Sequence, residues 1–194
     1  MALTPEEFHA HATAHGQLPL PPFVEWDVFP FEGAGMQVRP LVAPVPERPR
    51  RGEDPATCPH CPHRDEGIWL DEHWRLERVP DVGVPLLLAL YPREHLDLAD
   101  LPDERASELG LLAVHLARAV EALPHIARAH VTRFGDGSAH LHQLVWARPE
   151  GQPQLRGSCL MLWDDVLPRY PAEVADADAA TVAAALAASH GGVA

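Results

Sequence analysis

The chain has 194 residues, of which 46% are hydrophobic and 22% are charged. This length fits one compact domain with extended additions, because a core of ordinary size needs roughly 100 to 150 residues. With 28 acidic and 15 basic side chains, the formal net charge is -13. Such a charge repels nucleic acid and anionic lipid, so neither is an expected partner.

The sequence contains no indication of export or membrane insertion. It starts without the basic and apolar pattern of a secretion signal. Its longest apolar run, Val84 to Leu90, is far shorter than the roughly 20 residues that cross a bilayer. We therefore expect a cytoplasmic protein that does not enter a membrane.

Residues 1–57 are rich in proline, which excludes a long helix and predicts an extended arm. A short helix is expected near its start, because Thr4 is a suitable N-cap and Pro5 suits the first helical position. Near the end of this arm, the basic run from Arg48 to Arg51 is interpreted as a solvated linker rather than as a nucleic-acid site.

Two strands and a long helix are predicted in the middle of the chain. Trp74 to Val79 alternates apolar and charged residues, which indicates a half-buried strand, and Val84 to Tyr91 indicates a more buried one. A helix is predicted to start near Asp100 and to continue, with helically spaced apolar residues, until Pro124.

The last third of the chain predicts more strands and a second helix. Ile126 to Phe134 and Leu141 to Trp146 are expected as strands joined by a tight turn, because the glycines of residues 135–138 accept positive φ. Leu160 to Trp163 is predicted as another strand. The alanine-rich tail, residues 171–194, is predicted to form a peripheral helix.

The cysteines indicate a metal site. The chain has only three, an odd number that does not suit a disulfide framework. Cys58 and Cys61 have the two-residue gap that lets two thiolates bind one tetrahedral zinc ion. Cys159 lies beside an apolar run and is interpreted as a buried, inert thiol.

Histidines must supply the other two ligands, since the chain has 13 of them and no second pair of cysteines with this spacing. His95 directly follows the buried strand. His140 and His142 share one face of a strand because side chains alternate, so one could bind metal while the other faces a substrate. His60 and His63 also flank the cysteines, but ligation so close to the pair would be strained.

Three segments, in this order, resemble the histidine-triad superfamily and especially its galactose-1-phosphate uridylyltransferase-like branch. Cys58-Pro59-His60-Cys61 is similar to the zinc-binding CxxC of that branch. Residues 91–101, from Tyr-Pro-Arg-Glu-His onward, resemble its P-x-x-H stretch before the helix. Residues 135–147 resemble its active strand, in which a glycine-containing loop precedes His-x-His and Val-Trp-Ala.

The resemblance implies an α+β fold in which an antiparallel sheet curves around one long helix and carries a zinc knuckle. Residues 58–170 would form this domain, between the arm of residues 1–57 and the tail of residues 171–194. The implied ligands of the zinc are Cys58, Cys61, His95 and His140. Four protein ligands leave no open position, so the zinc would be structural.

The resemblance also implies that His142 is a nucleophile. In the family this histidine attacks the α-phosphate of a nucleotide or nucleotide-sugar, and water or an acceptor phosphate resolves the covalent intermediate. The expected activity is therefore that of a nucleotidyltransferase or phosphohydrolase, and the family also allows a homodimer. Gly135, Asp136, Gly137 and Ser138 would line the phosphate pocket through backbone N–H groups.

One position departs from the family pattern. Two residues after the nucleophile the family has His or Gln, and this chain has Leu144. Candidates to supply the missing polar contact are Ser138, Gln143, Gln152, Gln154 and Arg156, and Gln152 is also a candidate for binding the phosphate. Alternation along a strand turns Gln143 to the opposite face unless a bulge intervenes. The alternatives are a catalytically silent nucleotide sensor or protein-binding module, and an enzyme of specialised metabolism that uses His142 as a general base.

Overall fold

The computed structural model describes residues 3–14, 16–32 and 35–194. The chain divides into two compact units, residues 1–49 and 50–194. In the first unit, helix α1 (Pro5–Thr13) is capped by Thr4 at its N-terminus. The side chain and the backbone N–H of Thr4 exchange hydrogen bonds with Glu7. This capping box confirms the predicted short helix. A short 3-10 turn, Pro22–Glu25, follows among extended segments, as the prolines predict.

The second unit contains a five-stranded antiparallel sheet. Its strands, in the spatial order β1-β2-β3-β5-β4, are β1 (Trp69–Leu70), β2 (Trp74–Arg78), β3 (Leu86–Pro92), β4 (Ile126–Thr132) and β5 (Gln143–Pro149). Its helices are α2 (Asp103–Glu121), α3 (Leu160–Val166) and α4 (Ala172–His190). The structure confirms the predicted α+β class, the antiparallel sheet and the helix after the second predicted strand.

Both faces of the sheet are covered with apolar side chains, because successive residues of a strand point to opposite faces. On one face, Leu86, Leu88 and Leu90 of β3 belong to the main core with side chains of α2 and α4. On the other face, Leu87 of β3 and Trp146 of β5 belong to a second apolar cluster. We call these the helix face and the outer face.

The segment from Leu160 to Trp163 forms a helix, so the strand predicted there is wrong. Leu160, Met161 and Trp163 all pack in the second apolar cluster, and Leu167 continues this helical spacing. Four consecutive apolar residues are too few to distinguish a strand from a helix. The buried Asp164 carboxylate of α3 accepts hydrogen bonds from the N–H groups of Gly83 and Val84 at 2.7 and 2.9 Å.

The C-terminal helix is not peripheral, and the sheet packs against two long helices rather than one. Helices α2 and α4 have 19 residues each and pack on each other and on the sheet. Val182, Ala183 and Leu186 of α4 are almost completely buried in the main core. The alanines favour a helix, as predicted, and their small side chains also allow α4 to pack closely on its neighbours.

The connection between β4 and β5 is a long loop, from Arg133 to His142, and not the predicted tight turn. Neither Gly135 nor Gly137 has a positive φ. The loop is held open because it pairs with an upstream segment. The N–H of Arg51 donates to the Gly137 carbonyl at 3.2 Å, and the N–H of Ala139 donates to the Arg51 carbonyl at 3.0 Å.

None of the helices in the part of the chain that the structure describes combines the length and the apolar character that a membrane span requires.

Replacing Leu186 by alanine tests the position of α4. Leu186 is 0% exposed, so Leu186→Ala should lower the free energy of unfolding by about 2 to 5 kcal/mol, measured by urea denaturation. On the same helix Val174 is 39% exposed, and Val174→Ala should change it by less than about 0.5 kcal/mol. Equally small effects of both substitutions would contradict the buried position of α4.

Candidate functional site

Four side chains from three distant parts of the second unit meet at one point. Cys58 and Cys61 lie on a knuckle: Cys58 directly follows the 3-10 turn Pro55–Thr57, and Cys61 is the first residue of the 3-10 turn Cys61–His63. His95 follows strand β3, and His140 lies in the segment immediately before β5. The sulfur and ring nitrogen atoms of these four residues all lie within 4.8 Å of one another. The structure thus brings together the four zinc ligands that the resemblance implied.

The spacing of these atoms fits one tetrahedral zinc ion. Cys61 Sγ lies 3.2 Å from His95 Nδ1 and 3.7 Å from His140 Nδ1, and Cys58 Sγ lies 3.4 Å from His140 Nδ1. With Zn–S bonds of about 2.3 Å and Zn–N bonds of about 2.05 Å, a tetrahedral site has S···N separations of about 3.6 Å. Two thiolates and two imidazoles are also a preferred donor set for zinc.

Backbone contacts orient His140 for metal binding. Its Nε2–H donates to the Pro92 carbonyl at 2.8 Å, which leaves Nδ1 unprotonated and directed at the thiols. Burial lowers the pKa of His140, although the hydrogen bond to Pro92 acts in the opposite direction. The imidazole is therefore held neutral, which is the form that binds zinc.

The Cys61 thiol needs the metal to lose its proton. Burial raises the pKa of the Cys61 thiol to about 11, and the neighbouring Cys58 acts in the same direction. The metal-free protein therefore keeps this proton at neutral pH, and zinc uptake must release it.

The knuckle also depends on Gly52, a role that the sequence does not predict. It has a φ of +74° and an added Cβ would lie 3.2 Å from Cys58, so a side chain there would disturb the knuckle.

Metal analysis tests the proposed ligands. The protein purified without chelator should contain about one equivalent of zinc, and less than about half an equivalent would contradict the site. Cys61→Ser and His95→Ala should each lose most of the metal, because three remaining ligands do not close the coordination shell. His63→Ala is the matched control, since His63 also flanks the knuckle but is half exposed and paired with Glu66; it should keep its zinc.

His142 lies next to this metal centre with one ring nitrogen held by the backbone. Its Nδ1 is 3.1 Å from the His140 carbonyl oxygen, which can only accept, so Nδ1 carries the proton. The opposite nitrogen, Nε2, then carries a lone pair. His140 therefore belongs to the candidate metal site through its ring and orients His142 through its backbone carbonyl.

His142 is surrounded by aromatic and basic side chains on the outer face. The Tyr91 and His142 ring centroids are 6.2 Å apart, and the His60 ring lies 4.9 Å from Tyr91 and 6.3 Å from His142. Burial, together with the neighbouring His140 and His142, lowers the pKa of His60 to about 4. The buried Arg75 guanidinium lies 4.3 Å from the centre of the Tyr91 ring.

The packing on the outer face explains the leucine at position 144. Leu144 packs against the second apolar cluster, whose members include Trp146 and Leu160 of α3. Helix α3 thus supplies apolar partners for Leu144, two residues after His142. A polar side chain at position 144 would be placed against these apolar groups, where an unpaired hydrogen-bonding group is costly.

The structure places the other two predicted catalytic residues, Gln143 and Ser138, in different surroundings. Gln143 pairs with Leu90 without a bulge between β3 and β5, so it lies on the helix face. Ser138 is buried, and its Oγ accepts the N–H of His140 at 3.3 Å. Its contact therefore supports a metal ligand.

The predicted phosphate-binding residues also separate into two places. Gly135, Asp136 and Gly137 belong to the loop that leads to His140, and Asp136 and Gly137 are exposed. Gln152 is exposed and lies beyond the end of β5 that is remote from His142, where its carbonyl accepts from Arg148. The structure therefore does not bring Gln152 to the site.

Arg50 and Arg51 of the basic run hold the loop before His140, Arg51 through backbone hydrogen bonds with Gly137 and Ala139, so the interpretation of these two residues as part of a solvated linker is wrong. Arg50 Nη1 donates to the Asp97 carboxylate at 2.6 Å and to the Gly135 carbonyl at 3.0 Å. Arg133 also donates to the Asp97 carboxylate. Burial by itself raises the pKa of Asp97, but the hydrogen bonds from Arg50, the Leu98 N–H and Arg133 outweigh it and lower the pKa.

Asp97→Asn tests this anchor. At pH 7 it should lower the free energy of unfolding by about 1.5 to 3 kcal/mol, the usual contribution of hydrogen bonds to a charged group. Because the folded pKa of Asp97 lies below its ordinary value of 3.8, the stabilisation is complete above that value and is lost as the pH falls through the folded pKa. The difference between the two proteins should therefore shrink in acid, and a difference that does not change with pH would contradict this account.

Comparisons with known proteins give relatives in fold only. No family model matches the chain, and no curated protein matches it. A solved structure of a hypothetical histidine triad nucleotide-binding protein from Sulfolobus tokodaii is similar, with 16% identity, a TM-score of 0.51, and coverage of 69% of this chain and 97% of that chain.

Two further solved structures have lower TM-scores. A zinc-bound histidine triad family protein from Mycobacterium smegmatis has 20% identity and a TM-score of 0.49, with coverage of 69% of this chain and 95% of that chain. A histidine triad protein from Marinobacter aquaeolei has 19% identity and a TM-score of 0.49, with coverage of 62% of this chain and 88% of that chain. The similarity to the Sulfolobus tokodaii structure shows that the chain has the histidine-triad fold.

Proposed function

We propose that this chain, which has the histidine-triad fold, is a zinc-containing nucleotide-binding protein that transfers or hydrolyses a nucleotidyl group through His142. The observation that carries the proposal is the hydrogen bond from His142 Nδ1–H to the His140 carbonyl at 3.1 Å. It leaves the lone pair of Nε2 available for attack on phosphorus. We also propose that the chain belongs to the galactose-1-phosphate uridylyltransferase-like branch; the order of Cys58, Cys61, His95, His140 and His142 along the chain, which resembles that branch's motifs, supports this proposal.

The reaction proceeds in two displacements at the α-phosphorus. In the first, the His142 Nε2 lone pair forms the P–N bond, and the bond to the leaving oxygen breaks with its electron pair remaining on that oxygen. Nδ1 keeps its proton, and the His140 carbonyl stabilises the positive charge on the ring. In the second, water or an acceptor oxygen attacks the same phosphorus, the P–N bond breaks, and its electron pair returns to Nε2 while the attacking oxygen loses its proton to solvent.

The zinc would be held by Cys58, Cys61, His95 and His140 and would supply rigidity rather than reactivity, since these four ligands leave no open position. The chain's own residues transmit this rigidity. His140 is fixed by the metal site, the Pro92 carbonyl and Ser138 Oγ. Its carbonyl then fixes the ring of His142, so a loss of metal should disturb the orientation of the nucleophile.

The loop of residues 135–138 is the proposed phosphate-binding segment. It leads directly to His140, and its residues Asp136 and Gly137 are exposed. The exposed Arg51 guanidinium lies beside it, with Nε donating to the Gly137 carbonyl at 3.4 Å. In a chain with a net charge of -13, such a local cation is needed to attract a phosphate.

A second candidate is a catalytically silent nucleotide sensor. The observation that favours it is the packing of Leu144 in an apolar cluster, because the loss of one polar contact to developing charge commonly costs about 10²–10³ in rate. The two functions differ in one property. The enzyme forms a covalent intermediate on His142, whereas the sensor binds the nucleotide without reaction.

Covalent labelling distinguishes the two functions. The protein is incubated with a set of α-³²P-labelled nucleotides, including ATP and a UDP-sugar, and is then separated by denaturing gel electrophoresis. The proposed enzyme should give a labelled band that is lost in acid, as expected of a P–N bond, and is absent in His142→Asn. A matched control, His115→Asn on α2, removes a half-buried imidazole from the other side of the sheet and should label like the original protein. No band with any nucleotide would favour the sensor.

A further inference from the structure

His60 lies beside His142 although the two are far apart in sequence. Their ring centroids are 6.3 Å apart and their planes are inclined by only 29°, so the rings are roughly parallel. The His60 ring also lies 4.9 Å from Tyr91. Because Cys58 and Cys61 flank it on both sides, His60 is carried by the same knuckle that the metal site would hold rigid.

The nitrogens of His60 are available to a ligand. Among the described residues, neither ring nitrogen of His60 takes part in a hydrogen bond. The ring is only partly buried. A neutral imidazole has one N–H donor and one acceptor nitrogen, so His60 has hydrogen-bonding capacity for a ligand bound beside His142.

The other side chains around His142 are less suited to donate a hydrogen bond to its substrate. Leu144 has no polar atom, and Gln143 lies on the helix face. Ser138 is only 3% exposed, and its Oγ lies against the His140 N–H, from which it accepts. Tyr91 is 8% exposed and packs under the Arg75 guanidinium.

We propose that His60 donates a hydrogen bond from its ring N–H to the leaving oxygen when His142 attacks phosphorus. This inference rests on the proposed function. An attacking atom lies about 3 to 3.5 Å from its target before reaction, and an N–H···O hydrogen bond spans about 2.9 Å. The leaving oxygen lies one P–O bond beyond the phosphorus, so these lengths let the edge of the His60 ring, whose centroid is 6.3 Å from that of His142, reach an oxygen of the phosphoryl group that His142 attacks.

The chemical role of His60 is to stabilise the charge that develops on the leaving oxygen. As the P–O bond breaks, its electron pair stays on that oxygen, and the His60 N–H remains bonded to nitrogen while it donates. Losing one such donor commonly costs about 10²–10³ in rate. The dependence should be steeper for a poor leaving group, which carries more negative charge in the transition state.

A matched pair of substitutions tests the donor. His60→Gln keeps an N–H donor, whereas His60→Met has a similar size and none. The substrates are the phenyl and p-nitrophenyl esters of adenosine 5′-monophosphate, which differ only in the leaving group. The measurement is the rate of labelled adduct formation on His142. Zinc content is determined for each variant, and His63→Ala on the same knuckle is the control, expected to keep the original rates.

With the phenyl ester, His60→Met should be slower than the original protein by about 10²–10³, and His60→Gln by less than about tenfold. With the p-nitrophenyl ester, the loss in His60→Met should be at least about tenfold smaller, because p-nitrophenolate needs less stabilisation. Equal rates in the two variants, or an equal loss with both esters, would overturn the role of His60.

The same experiment separates this inference from the proposed function. If the original protein forms no adduct with either ester, both the proposed function and the role of His60 fail. If the adduct forms and depends on His142 but not on the donor at position 60, only the role of His60 fails. A loss of zinc limited to one variant would show that the substitution acts through the metal site and would also overturn the proposed contact.

Discussion

The imidazole of His140 connects most parts of the second unit. One ring nitrogen faces the two thiols of the knuckle at 3.4 and 3.7 Å, and the other donates to the Pro92 carbonyl at the end of β3. The backbone carbonyl of the same residue binds His142. A buried imidazole must satisfy both nitrogens, and here doing so joins the knuckle, the end of one strand and the start of another. The geometry of His142 depends on this single residue, through its backbone carbonyl.

The two faces of the sheet impose different requirements on the site. On the helix face the main core is continuous beneath β3 and β5. On the outer face, α3 and its apolar partners cover one end, while the rings of Tyr91, His60 and His142 occupy the other. Leu144 lies where the two ends meet. Its apolar character therefore follows from packing, and a donor for the site must come from the knuckle instead of from the strand.

Basic side chains are concentrated around this site although the chain is strongly acidic. Arg50 and Arg133 share the Asp97 carboxylate, and this cluster holds the loop that leads to His140. Arg75 is only 1% exposed; its burial is compensated by Glu77 and by the face of Tyr91. The first pair shapes the backbone, and Arg75 fixes a ring next to His142, so most of this positive charge serves to position other groups.

Local patterns in the sequence predict the strands and the long helix of an α+β domain from their periodicity, and the paired thiols from the two-residue gap between Cys58 and Cys61. Alternation along a strand leaves open whether His140 or His142 binds metal, and His95 and His140 were implied as ligands by the resemblance of three motifs in order. The helix that starts at Leu160 and the position of His60 beside His142 are visible in the folded chain alone. A short apolar run is compatible with both a strand and a helix. The direction of the His60 ring follows no strand or helix periodicity, because His60 lies on the irregular knuckle. In both cases the outcome depends on long-range packing against the outer face, which no local spacing encodes.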